Sequence, residues 1–271
     1  MKQFILNSEP DKKGFVYLKD NDYNYLVRVR RLAKGEFFPA LLPDGKETLI
    51  QVISIQNGIL TGKCNALDNN KQNKTGENPA LDDKAAFPQI ILLQALPKAD
   101  KMDLIVRQAA EGGIAQIIPF MSEFSIAKPS AEGQKFQRWE KIIKEARQQS
   151  GSKISTIVHK PVSLDEIIVF WKNLQNKNAI GILFHHTGLE NKSLHEYLDR
   201  SPKIVVLAIG PEGGFSDQEV NLFRENGFKT LTIGDTILRT ETAALYCCAA
   251  VKIILLERDS WELNKTKTDN V

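Results

Sequence analysis

A continuous run from Lys203 to Ile209 stops abruptly at Gly210-Pro-Glu-Gly-Gly214. A β-branched stretch of that length suits a strand buried on both faces. Three glycines and a proline within five residues call for a tight, unusual backbone path. Ser216 with Glu219 three residues on reads as a capping box, Phe215 and Val220 as its staple, and Gly227 as the stop of the helix so begun. The design then recurs: Lys229 to Ile233 is a short strand, Gly234-Asp235 turns, and Thr240 or Thr242 can cap a final helix. Successive strand–turn–helix units build an open, mainly parallel α/β sheet, and such sheets bind ligands beyond the carboxyl ends of their strands.

Upstream, the same alternation holds. Gln89 to Leu96, Ile114 to Phe120, Ile154 to Val158 and Ala179 to Phe184 read as strands. Met102, Ile105, Val106 and Ala109, then Phe136, Trp139, Ile142, Ile143 and Ala146, recur at helical spacing. The amino-terminal part differs. Gly14–Leu18, Glu36–Leu42, Thr48–Ile55 and Gly58–Cys64 are short strands, with an Asp44-Gly45 hairpin signal between the second and third, which suits a small β-barrel. Between the two parts, Asp68 to Phe87 is polar and poor in aliphatic residues. The expected organisation is therefore a barrel over 1–70, a linker over 71–87, an α/β domain over 88–259 and a polar tail over 260–271.

Several function classes drop out. The apolar tract Ala243 to Leu256 is too short to span a bilayer and contains Lys252, and Met1-Lys-Gln-Phe4 lacks a signal-peptide core, so a cytoplasmic protein with no membrane partner is expected. Three cysteines cannot make a disulfide framework, and the adjacent pair Cys247-Cys248 reads as helix packing. The four histidines lack metal-ligand spacing, and no metal is expected. Neither G-x-G-x-x-G, nor a Walker loop, nor a G-x-S-x-G elbow is present. A net charge of +3 says little by itself, but Arg28, Arg30, Arg31 and Lys34 cluster before the second barrel strand. That cluster is either a solvated face or a set of phosphate contacts.

One pair of charges stands out. Arg239-Thr-Glu241 lies between Ile237-Leu238 and the apolar helix from Ala243 onward, where unpaired charge is costly unless it serves a site. Gly210-Pro-Glu-Gly-Gly-Phe-Ser216 followed by Leu238-Arg-Thr-Glu-Thr-Ala243 resembles the RsmE-type 16S rRNA methyltransferases of the SPOUT class, and the resemblance extends over most of the chain. It includes Tyr25 to Leu32, Glu111 to Ser125 and Glu145 to Ser150, with departures at Arg30 (usually Leu), at Asn24 or Tyr25 (often His) and at Phe124 (usually Arg).

The resemblance implies an α/β SPOUT domain with a trefoil knot, a PUA-like RNA-binding barrel, a homodimer, and methyl transfer from S-adenosylmethionine to N3 of a uridine in 16S rRNA, within the small subunit. The periodicity shows no knot. The implied cofactor loops contain Leu183, Phe184 and His185; Gly210, Pro211, Glu212 and Gly213; and Ile233, Gly234, Ile237, Leu238, Thr242 and Ala243. Glycines there let the backbone approach a ligand closely. Arg239 is the candidate for stabilising negative charge on the uracil or for binding phosphate; Glu241 is the candidate for orienting Arg239 or acting as base, with Glu212 unranked against it. Arg28, Arg30, Arg31 and Lys98 are the candidate RNA contacts. Action on another rRNA or tRNA nucleotide is the nearest alternative. A non-catalytic RNA-binding assembly factor is a further one, against which the intact Arg239-Thr-Glu-Thr242 speaks.

Overall fold

The computed structural model describes residues 4–65, 87–126, 133–186 and 192–268, so nearly all of the expected linker lies outside the described residues. The chain divides into two compact units, Met1–Ala85 with Arg147–Ser155, and Ala86–Ala146 with Thr156–Val271.

The first unit is a five-stranded mixed sheet. Its strands are β1 (Phe4–Ile5), β2 (Phe15–Leu18), β3 (Phe37–Leu41), β4 (Glu47–Gln56) and β5 (Ile59–Asn65), in the spatial order β1-β3-β4-β5-β2. Only β1, paired with β3, runs parallel to its neighbour. It was not legible because two residues carry no periodicity. The Asp-Gly turn forms as expected: Gly45 has φ +92° and the Asp44 carboxylate accepts from the Lys46 N–H at 2.9 Å. Phe4, Leu26, Phe38, Ile50 and Leu60 fill the interior. After the short helix α1 (Asp20–Tyr23), residues Asn24–Val29 form a π-helical turn instead of an ordinary helix face, burying Leu26 and leaving Val29 exposed.

The second unit is a six-stranded, wholly parallel sheet of β6 (Gln89–Ala95), β7 (Gln116–Phe120), β8 (Ile157–Val158), β9 (Ala179–Phe184), β10 (Ile204–Ile209) and β11 (Lys229–Leu231). Their order is β11-β9-β10-β6-β7-β8. Strand alternation divides the core between two faces. Ile90 and Leu92, with Val205, Leu207 and Ile182, pack against α2 (Lys101–Glu111), α3 (Gly133–Ser150) and α7 (Thr240–Thr268). Ile91 and Leu93, with Val206, Ala208 and Leu183, pack against α4 (Leu164–Gln175) and α6 (Asp217–Glu225). A short α5 (Leu194–Leu198) completes the unit.

Two expectations change. The strand foreseen over Ile154 to Val158 shrinks to Ile157–Val158, with Thr156 just before it donating its hydroxyl to the Ile114 carbonyl. The final helix continues through Thr268, so the stretch 260–268 is helical and not a separate tail. Among the described residues, no helix is long and apolar enough to cross a membrane.

Phe223 sits fully buried between the rings of Phe215, Phe228 and Phe120, at 5.5, 4.9 and 6.3 Å. Phe223→Ala should lower the unfolding free energy by about 3–5 kcal/mol, read as a reduced denaturant midpoint with little change in slope.

Candidate active site

The carboxyl ends of β9, β10 and β11 open into one cavity of about 560 Å³, within the range usual for small-molecule sites. Phe184, His185 and His186 form one wall, Ile209 to Phe215 a second, Thr232 to Leu238 a third, and Thr240, Ala243 and Cys247 of α7 close it. The last three are spaced i, i+3, i+7 and so share a helix face. Ile237, at 86% exposure, is a bare apolar side chain on the rim.

The second wall is the glycine turn, and its shape depends on two positions. Gly214 adopts φ +72°, which disfavours any residue with a β-carbon. At Gly213 a β-carbon would lie 2.9 Å from Cβ of Phe124. Phe124, which departs from the family pattern, therefore backs the turn with an aromatic surface. Glu219 fixes the same turn from below. Its carboxylate accepts from the N–H of Ser216 at 3.0 Å and of Glu123 at 2.8 Å, while Ser216 Oγ accepts from the Glu219 N–H, so the foreseen capping box also ties the 122–125 turn to the glycine loop.

Two further links hold the walls to each other. Gln94, wholly buried at the end of β6, donates through Nε2 to the Ala95 carbonyl at 2.9 Å and to Thr240 Oγ1 at 3.0 Å. Thr240 Oγ1 in turn donates to the Gly210 carbonyl at 2.6 Å. The hydroxyl thus joins the turn to α7 instead of capping the helix. On the outer side, Glu212 Oε1 lies 2.9 Å from Lys101 Nζ and accepts from the Lys98 N–H at 3.1 Å. Lys101 also reaches Glu241 Oε2 at 3.4 Å. Burial raises the Glu212 carboxyl, but the hydrogen bonds from Lys101 and the backbone outweigh it, and the net shift is downward. The same hydrogen bond to Glu212, opposed by desolvation, raises the Lys101 ammonium.

Of the residues expected at a cofactor site, Phe184, His185, Gly210, Pro211, Glu212, Gly213, Ile233, Gly234, Ile237, Leu238 and Ala243 line the cavity. Leu183 does not: alternation along β9 turns it into the core against Val206 and Ala208. Thr242 does not either, because it lies off the helix face shared by Thr240, Ala243 and Cys247. Arg239 is exposed, and its carbonyl accepts the first α7 hydrogen bond from the Ala243 N–H at 2.8 Å. The expected pairing of Glu241 with Arg239 is replaced by the contact with Lys101. Sequence reasoning missed Lys101 and Gln94. The polar Gln94 inside an otherwise apolar strand was the available signal for the second. Burial pushes the Cys247 thiol well above its usual range and Cys248 up to about 12, so neither is a nucleophile near neutrality.

In the first unit, Arg28 and Arg31 are exposed, while Arg30 is half-buried with Nη1 lacking a hydrogen-bond partner among the described residues. Lys98 is exposed in the second unit. No group of three His, Cys, Asp or Glu side chains is placed to hold a metal among the described residues.

An open parallel sheet with a glycine-walled cavity at its strand ends is where α/β proteins bind their ligands. The family model for an RNA methyltransferase domain matches residues 84–252, which include every wall of the cavity. Ribosomal RNA small subunit methyltransferase E 2 of Borreliella burgdorferi is 30% identical over 258 residues, covering 94% of this chain and 98% of that protein. The methyltransferase E of Aquifex aeolicus is 29% identical, covering 89% and 95%. A Legionella pneumophila structure in complex with S-adenosylmethionine superposes with a TM-score of 0.72 at 26% identity, covering 93% of this chain and 96% of that one. The chain belongs to the RNA methyltransferase family, and within it to the RsmE type.

Thr240→Val removes the hydroxyl between Gln94 and Gly210 and should weaken ligand binding in the cavity about tenfold, measured by calorimetric titration. The lowered Glu212 carboxyl has its own signature. Its stabilising effect is present above the ordinary value of 4.5 and is lost as pH falls through the lower folded-state value. The melting-temperature gap between wild type and Glu212→Gln should therefore be full at neutral pH and close in acid below that value.

Proposed function

We propose that this protein transfers the methyl group of S-adenosylmethionine to N3 of a uridine in 16S ribosomal RNA. The single observation that carries the reading is the cavity built by the strand-end loops of a chain that belongs to the RsmE-type family. Its dimensions and apolar rim suit an adenosine bearing a methionine chain, with main-chain groups of the 232–238 and 210–215 loops reading the adenine edge. In the reaction, the N3 electron pair attacks the methyl carbon and the C–S pair returns to sulfur, so a cationic sulfonium leaves as a neutral thioether. The N3 proton passes to Glu241, the carboxylate at the start of α7, and then to solvent. Arg239, exposed beside it, stabilises the charge that develops on the uracil oxygens. Holding the two reactants in line supplies roughly 7–11 kcal/mol of the barrier reduction.

The remaining parts follow the same reading. The first unit serves as a PUA-like barrel over residues 1–70, contacting RNA through Arg28, Arg30 and Arg31, with Lys98 of the methyltransferase domain as a further contact. The carboxyl-terminal chain forms a trefoil knot. In support, β11 lies at the sheet edge while α7 returns across β6 and β10 to pack on α2. Two copies pair through α7, which leaves Tyr246 exposed and presents Leu245, Ile253 and Leu256 around a mostly apolar hollow of about 180 Å³ shared with α2. The protein works in the cytoplasm on the small subunit.

Incubation with labelled S-adenosylmethionine and small subunits lacking this modification should yield 3-methyluridine. Cofactor binding without transfer to these subunits would contradict the substrate, and absence of cofactor binding would contradict the enzyme itself. Arg239→Ala should abolish transfer while the melting temperature stays near wild type; undiminished activity would remove Arg239 from the mechanism. Reversing the charge of Arg28 and Arg31 should weaken RNA binding and flatten its salt dependence, leaving cofactor affinity unchanged.

A further inference from the structure

Lys101 occupies the first turn of α2, where a cation is opposed by the helix dipole. Its ammonium nevertheless sits between two carboxylates from distant parts of the chain, 2.9 Å from Glu212 on the glycine loop and 3.4 Å from Glu241 on α7. One cation therefore joins the turn after β6, the wall of the cofactor cavity and the first turn of the final helix.

The two carboxylates are not equivalent. Glu212 is held twice over, by Lys101 and by the Lys98 N–H, which reaches both of its oxygens at 3.1 and 3.3 Å. Glu241 is the more enclosed, with a side chain 14% exposed against 27% for Glu212. Its Oε2 is buried and has the Lys101 ammonium as its ionic neighbour, at the longer distance of 3.4 Å. A carboxylate offers about four acceptor positions, so Glu241 keeps capacity that Glu212 has largely used.

We propose that Lys101 is a positioning residue for methyl transfer: paired with Glu212 of the cavity wall and with Glu241 of α7 together, it orients Glu241 beside that wall, ready to receive the N3 proton. The proposal rests on the methyltransferase reading above. Glu212 is the fixed end of the arrangement and Glu241 the working end. Because the Lys98 N–H continues to hold Glu212 when Lys101 is replaced, the cofactor loop keeps its shape and the effect falls on turnover.

The test is a set of variants assayed with saturating subunits: Lys101→Met, Lys101→Arg, Glu241→Gln and the Lys101→Met/Glu241→Gln double variant, with cofactor affinity measured separately by titration. Lys101→Met should lower kcat about 100-fold, in the range set by loss of a general base, while the dissociation constant for S-adenosylmethionine changes less than about threefold. Lys101→Arg should restore most of the rate. The double variant should be no slower than Glu241→Gln, because both changes remove one function. Lys101→Gln serves in place of the methionine variant should the latter melt early. Wild-type kcat in Lys101→Met, or rate losses that multiply in the double variant, would overturn the proposal. A rate loss matched by an equal loss of cofactor affinity would also overturn it, by placing Lys101 with the cofactor loop alone. Failure of the underlying reading is distinguishable, since it would appear as absence of methyl transfer in the wild type.

Discussion

The hydroxyl of Thr240 is the contact on which the rest of the site depends. It accepts from Gln94 at the end of β6 and donates to the Gly210 carbonyl at the end of β10, while its own residue begins α7. Three segments converge on one oxygen, with Gln94 lying 146 residues before Thr240 and Gly210 lying 30 before it. The network uses Gln94 Nε2 alone, while its buried Oε1 has no hydrogen-bond partner among the described residues; the bonds that form favour one arrangement of the loops over others. Glu219 and Lys101 extend the same principle outward. The first pins the glycine turn to residues 122–125, and the second links Glu212 of that turn to Glu241 of α7, with the Lys98 N–H holding Glu212 independently. The cavity is thus a set of flexible turns held in place by side chains rooted in a rigid sheet.

Function follows from that division of labour. Sheet and helices supply a rigid frame, with apolar layers on both faces. The turns at the strand ends present backbone groups and a bare apolar rim at Ile237. Charge is kept to the periphery: Glu212, Glu241 and Lys101 neutralise one another in part, and Arg239 is left exposed, with no carboxylate at ion-pair distance among the described residues. An unpaired guanidinium beside a cofactor cavity is well placed to meet an anionic or electron-rich partner.

Much of this was legible in the sequence because local signals and tertiary demands agree there. The run Ile204–Ile209, the glycine turn and the Ser216–Glu219 capping box all form as the residue types require. The Asp44-Gly45 turn behaves the same way. What escaped reading was whatever depends on partners far away in the chain. Nothing local distinguishes Lys101 from any other lysine opening a helix. Leu183 and Thr242 belong to the segments that form the cavity, but their side chains are not among those that line it. Segment-level resemblance does not resolve which face a residue occupies. The strand Phe4–Ile5 and the extension of α7 to Thr268 were missed for the opposite reason, since one is too short to show a pattern and the other too polar to suggest continued helix.

The most direct test of the central claim is a crystal structure of the protein soaked with S-adenosylmethionine. The ligand should lie between Phe184–His186, Gly210–Phe215 and Thr232–Leu238, with the Gln94–Thr240–Gly210 hydrogen bonds intact. Ligand bound elsewhere on the chain, or in this cavity only after those hydrogen bonds have broken, would contradict the account.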